Sequence, residues 1–128
     1  MYFPKAIRVS KELRALPAEN DGQSPEMIYT THAFLVSLYL DCVPLDGIHC
    51  PSQEQITAFE EAVKRGDITW HAFPFNAEPE LADDTLIDFG IQLAHDLNVK
   101  FNKTPTTVMS QRDVPGLTRA IVPLLQKR

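Results

Sequence analysis

The spacing of apolar and polar positions predicts helices alternating with short strands. Across residues 2–16, Ala6, Val9, Leu13 and Leu16 recur at the three- and four-residue intervals of one helix face, with Arg8, Lys11 and Glu12 elsewhere. Pro4 suits the first turn of that helix, and Pro17 follows its end. Residues 20–25, Asn-Asp-Gly-Gln-Ser-Pro, read as a turn, and residues 27–31 as a β-rich run. Residues 32–40 fit a strand or a buried helix, and their length and the Phe34, Leu38 spacing favour helix. The clearest signal begins at Ser52. With Gln55 three residues on it forms a capping box, ahead of the stripe Ile56, Phe59, Ala62, Val63. Glu54 early, Lys64 and Arg65 late, and Gly66 as the stop complete this helix.

Residues 67–73 then read as a strand ended by Pro74, and residues 75–80 as a loop. A further amphipathic helix is predicted over 81–97, with Leu86, Phe89, Leu93 and Leu97 on its stripe and Asp83 and Asp84 near its start. Residues 106–110 read as another strand, 111–116 as a loop, and 117–125 as a last helix that Pro123 kinks or fixes in its first turns. Strands alternating with helices of this length imply βαβ units, a parallel sheet and right-handed crossovers. The fold class expected is therefore α/β.

Composition narrows the function classes. The 128 residues are one domain's worth of chain, 44% hydrophobic and 23% charged, enough apolar side chain for a core. A net charge of −5, from 12 basic and 17 acidic residues, argues against nucleic-acid binding. Ten prolines against five glycines suggest stiff boundaries between short elements. Cys42 and Cys50 match neither a CxxC redox site nor a zinc knuckle and read as two reduced thiols. The first residues lack a signal-peptide pattern, and the longest apolar run, 33–40, is broken by Ser37 and too short for a bilayer. The expected location is cytoplasmic, with no membrane partner.

In α/β sheets, function gathers on loops that follow the carboxyl ends of strands. Two loops qualify, 74–80 and 111–116. By this position Asp113 is the first candidate, because a carboxylate at a strand end can ligate a metal, act as a nucleophile or transfer a proton; it can equally cap the next helix. His71, Asn76, Glu78 and Arg112 are candidate substrate-binding residues beside it. His71 lies between Trp70 and Phe73 and fits a packed strand position as well as a ligand or proton shuttle. His32, His49 and His95 share no metal-ligand spacing with His71, and HExxH, glycine-rich phosphate-loop and GxSxG patterns are missing. Asp83, Asp84 and Asp88 read as a solvated helix start. Trp70, Phe73 and Phe75 could stack on a sugar face, although aromatic residues on a strand more often fill a core.

Two stretches carry a family resemblance. Asp67-Ile68-Thr69-Trp70-His71-Ala72-Phe73-Pro74-Phe75-Asn76 and Arg112-Asp113-Val114-Pro115-Gly116-Leu117-Thr118-Arg119-Ala120-Ile121-Val122-Pro123-Leu124-Leu125 resemble an uncharacterised bacterial family. That family is related to the N-terminal catalytic domain of glycoside hydrolase family 38, the zinc-dependent α-mannosidases. Residues 2–7 and the run through Thr30 and Thr31 are similar to its early region, so the resemblance covers most of the chain. It implies a portion of a seven-stranded β/α barrel of the glycoside hydrolase and deacetylase type, as a single partial domain over residues 1–128.

The resemblance also implies chemistry. Zinc in such enzymes is held by a His-x-Asp pair, a later Asp and a distant His. The later Asp lies in an Asp-x-x-Gly-His-Ser/Thr pattern and doubles as nucleophile of a retaining mechanism. Asp113-Val114-Pro115-Gly116-Leu117-Thr118 matches with Leu117 where His is usual, which assigns Asp113 the roles of nucleophile and zinc ligand. The sequence contains no His-x-Asp, and by the resemblance it enters after the first strand and leaves before the closing ones. One carboxylate does not hold a catalytic zinc, which needs about three protein ligands. The expectation is an incomplete copy of a retaining, α-mannosidase-like hydrolase, inactive alone. Zinc belongs to the complete domain, and a carbohydrate is the substrate once the domain is completed. The alternatives are a non-catalytic interaction module that completes its sheet with a second copy or another chain, and a small sugar- or metabolite-binding domain. Unpaired edges and exposed apolar faces would favour such association.

Overall fold

The computed structural model describes residues 2–17, 26–43, 46–47, 49–112 and 117–126. In chain order the elements are α1 (Phe3–Arg14), β1 (Tyr29–Thr31), α2 (Ala33–Asp41), α3 (Gln53–Arg65), β2 (Ile68–Trp70), a 3-10 turn (Pro79–Leu81), α4 (Asp84–Lys100) and α5 (Ile121–Leu125). The fold is a mixed helix–strand arrangement in which β1 and β2 form a two-stranded parallel sheet that does not close. The chain divides into two compact units, each built from two separated stretches. One comprises residues 1–31 and 39–69, the other 32–38 and 70–128.

In the first unit α1 packs against α3. The buried face of α1 is Phe3, Ala6, Ile7 and Ser10, offset from the predicted stripe: Val9 and Leu13 are half-buried and Leu16 is exposed. Phe3 sets this offset, because its ring lies 5.0 Å from that of Phe59 and 4.9 Å from that of Tyr39. Once that aromatic cluster is placed at the first turn, the residues one and two turns on follow it inward. Helix α3 agrees with its sequence signals. Ser52 Oγ accepts from Gln55 N, Gln55 Oε1 accepts from Ser52 N, and Gly66 takes the left-handed φ of 85° that ends the helix. The chain then enters β2, with Tyr29 N donating to Asp67 O at 2.8 Å.

The polar centre of this unit is Asp67, whose side chain has no exposed surface. Its Oδ1 accepts from Arg14 Nε at 2.9 Å and Nη2 at 2.6 Å, and its Oδ2 from Arg65 Nε at 3.0 Å. Burial pushes the carboxyl pKa up, but hydrogen bonds from Arg14 and Arg65 outweigh it and hold the group below its ordinary range.

The expectation of two reduced thiols is corrected: Cys42 and Cys50 are joined in a disulfide, their Cα atoms 5.4 Å apart. Positive φ angles at Cys42 and Gly47 fold the chain back between α2 and α3, bringing together two residues whose spacing matches no common motif. Among the described residues no helix is long and apolar enough to cross a membrane.

In the second unit α4 packs against α5, and Phe73, Ile87, Ile91, Ile121 and Leu124 form the core. The predicted stripe of α4 is corrected at Leu86 and Phe89, while Leu97 is buried as predicted. Leu86 and Phe89 are 48% and 63% exposed, whereas Ile87, Gly90, Ile91, Ala94, Leu97 and Asn98 are buried. Gly90 explains the rotation. A Cβ there would come within 2.7 Å of Pro74 Cγ, so the helix can approach the loop after β2 only on its glycine side. Helix α5 is shorter than predicted, and Pro123 sits in its first turn, where its missing N–H removes no helical hydrogen bond.

The predicted strand at 106–110 is also corrected. This segment forms no strand; Val108 O accepts from Ala72 N at 2.8 Å. Pro105 cannot donate to a ladder, and the Thr106 hydroxyl donates to the Asn98 side chain at 3.2 Å. Trp70 and Phe73 are 1% and 2% exposed, so both are core residues. Trp70 Nε1 donates to Asn98 Oδ1 at 3.0 Å, and Lys103 Nζ lies 5.0 Å from the centre of the indole.

Candidate functional site

Each strand is followed at once by a histidine: Thr31 ends β1 before His32, and Trp70 ends β2 before His71. Parallel pairing places the residues leaving β1 and β2 at the same end of the sheet, so the two imidazoles come together although they are far apart in sequence. Their ring centroids are 5.3 Å apart, with the planes tilted by 55°. His32 Nδ1 is withdrawn from solvent and has no hydrogen-bond partner, while the His32 backbone carbonyl accepts from Leu35 N at the start of α2. His71 is half-buried. Burial, followed by the charge of His32, holds its pKa below the usual imidazole range, which favours the neutral ring.

The surrounding segments are tied to one another. Phe34 N donates to Pro74 O at 3.0 Å, and the Phe34 and Phe75 rings meet edge to face at 6.5 Å, linking the start of α2 to the loop after β2. That loop is linked in turn to residues 111 and 112. Ala77 N donates to Gln111 Oε1 at 3.3 Å, and Arg112 N to Asn76 Oδ1 at 2.7 Å. Asn76 Nδ2 also donates to Arg112 O, so the Asn76 amide engages both backbone groups of one residue.

Of the residues expected at the site, the structure therefore brings Asn76 and Arg112 into contact through the Arg112 backbone. His71 pairs with His32. Glu78 is exposed; its backbone carbonyl accepts from Leu81 N at the start of the 3-10 turn. Asp113 lies outside the described residues. His32 was not singled out from the sequence, and one signal could have found it: it occupies the same position relative to β1 as His71 does to β2.

The zinc set implied by the resemblance does not fit what is present. No His-x-Asp occurs in the sequence, and among the described residues no group of three His, Cys, Asp or Glu side chains gathers as a metal cage. A concavity of about 210 Å³, lined by Ile91, Ala94, His95, Asn98 and Thr106 among others, is mostly apolar. Asn98 Oδ1 already accepts from Trp70 Nε1 and from Thr106 Oγ1, so its polar capacity is spent on structure. No protein-family model, no curated protein and no solved structure matches the chain.

Proposed function

We propose that this chain is a portion of a retaining, α-mannosidase-like glycoside hydrolase domain. Its sheet would be part of a seven-stranded β/α barrel, and the chain would be inactive by itself. The observation that carries this reading is the Asn76–Arg112 clip. It fastens the loop after β2 to the residue immediately before Asp113, in the region where an α/β sheet holds its chemistry. A carboxylate that acts on a glycosidic bond needs its backbone held in register with the substrate-binding loops, and the clip holds Arg112, the residue before it in the sequence. On this reading Asp113 attacks the anomeric carbon, and a second carboxylate protonates the leaving oxygen. His71, Glu78 and Arg112 contact the sugar, and Asn76 acts by holding Arg112. No step is assigned to zinc, because the sequence has no His-x-Asp pair and, among the described residues, no group of three ligating side chains forms a cage. A cytoplasmic location is the part of this reading that the Cys42–Cys50 bond opposes, since disulfides are rare where thiols are kept reduced.

The second reading is a non-catalytic module that completes its sheet with another copy or another chain. It is favoured by the two-stranded sheet and by exposed Phe89, Val99 and Val108, which a partner would cover. One experiment separates the two. The chain is assayed with an aryl α-mannoside alone and when fused to segments that supply a His-x-Asp strand and the closing strands. The hydrolase reading expects aryl release only from the fusion, and its abolition by Asp113→Asn. A fusion that folds but releases nothing, together with a stable dimer of the chain alone in sedimentation, replaces it with the interaction module.

A further inference from the structure

The His32–His71 pair has a property that ordinary aromatic packing does not require. Two phenyl rings at this spacing would leave nothing unsatisfied, whereas here a buried imidazole nitrogen, His32 Nδ1, meets no donor or acceptor. Buried polar atoms are nearly always paired, so an orphan next to a second imidazole calls for an explanation. The spacing supplies one. An imidazole bound at about 2.1 Å through nitrogen has its ring centre about 3.2 Å from the ion, and two such rings at a tetrahedral angle have centres about 5.2 Å apart. The observed separation is 5.3 Å.

The support of the two rings points the same way. Each follows directly on a strand of the parallel pair, and the segments that carry them are tied by the Phe34 N to Pro74 O hydrogen bond. Metal ligands held on such a scaffold lose little conformational freedom on binding.

We propose that His32 and His71 form a two-imidazole site for one divalent transition cation that accepts tetrahedral nitrogen coordination, such as Zn²⁺ or Co²⁺. The remaining coordination positions are open to water or to an oxygen ligand. Neither histidine belongs to the ligand set that the resemblance implies, and the site does not depend on hydrolytic activity. Imidazole is a borderline ligand, which excludes hard cations such as Mg²⁺.

The test is a titration of the full chain, with its disulfide intact, by Zn²⁺ in buffer free of chelators and reductants. One equivalent binds, Mg²⁺ does not, and His32→Gln and His71→Gln each weaken Zn²⁺ by about tenfold or more, the scale on which even supporting residues around a metal ligand are felt. His49→Gln and His95→Gln leave the affinity unchanged. Because a variant that fails to fold would be silent, the unmodified chain is also titrated with Co²⁺ and its histidine ring signals are followed by NMR. Selective paramagnetic effects on His32 and His71 support the site. No Zn²⁺ binding, binding that survives both variants, or Co²⁺ effects confined to His49 or His95 overturn it. Failure here leaves the mannoside assay untouched, and the reverse also holds.

Discussion

Asp67 and His32 both carry polar atoms out of water, and the two units of the molecule treat them differently. In the first unit each oxygen of Asp67 meets a guanidinium, and the two arginines come from α1 and from the end of α3. In the second unit His32 Nδ1 meets nothing, and Gln111 Nε2 is likewise buried without a partner. The first unit has an exception in the buried, unpartnered Tyr39 hydroxyl, whose pKa burial pushes up. A phenol that stays neutral at ordinary pH pays only a lost hydrogen bond, so it does not upset the contrast. A saturated buried network holds elements together and has no capacity left for a ligand. A buried nitrogen without a partner, set beside another imidazole at the end of two strands, has that capacity. The comparison teaches where to look for function in this chain: at the unsatisfied groups of the second unit, with Asp67 as a structural clamp.

The largest effect that would break this comparison is at the clamp itself. Asp67→Asn removes the charge facing Arg14 and Arg65 and is expected to cost about 3 kcal/mol in urea unfolding, toward the low end for a broken buried pair. The low end applies because the two arginine side chains are 34% and 36% exposed and recover part of their hydration. Acidity tests the same point. The folded state depresses the Asp67 pKa, so the unfolded chain binds the proton more readily. The stabilisation is therefore complete above the ordinary carboxylate range and is lost as pH falls through the depressed value of the folded protein. Unfolding curves of Asp67→Asn should lack that component, and a mutant with the same acid dependence as the parent would refute the assignment.

A smaller effect probes the part of the second unit that is satisfied. Asn98→Ala leaves Trp70 Nε1 buried with no acceptor, and a loss of about 2 kcal/mol is expected. Trp70 is the single tryptophan, so its fluorescence reports the same event directly. An unchanged emission spectrum and midpoint would mean that the indole finds water, and that burial in this unit is less strict than in the first. The smallest effect concerns a purely local device. Ser52→Ala removes the cap of α3 and should lower stability by about 1 kcal/mol, with a matching drop in the denaturation midpoint.

Legibility followed the range of the interactions. The capping box at Ser52 and Gln55, the left-handed stop at Gly66 and the strand beginning at Ile68 could all be read because each depends on neighbours within about one helical turn. The buried faces of α1 and α4 could not. A stripe of leucines marks an apolar face, but which side turns inward depends on what lies opposite: Phe59 and Tyr39 for α1, and Pro74 against Gly90 for α4. At the site, position after a predicted strand identified Asn76 and Arg112, whereas the periodicity places His71 inside the strand that the structure ends at Trp70. The contacts between them were not legible, since the Asn76–Arg112 clip spans 36 residues and periodicity carries no information at that distance. His32 was missed because its pairing with His71 spans 39 residues and periodicity carries no information at that distance.

The sequence by itself determined the identity and order of most elements and the mixed helix–strand class, because caps, glycine stops and hydrophobic period act on neighbouring residues. Only the tertiary structure decided that residues 106–110 do not form a strand, that Cys42 and Cys50 are bonded, that Asp67 is clamped by two arginines, and that two histidines share one end of a sheet. Each of these depends on groups that meet across the chain, where the free energy of burial and pairing outweighs any local preference.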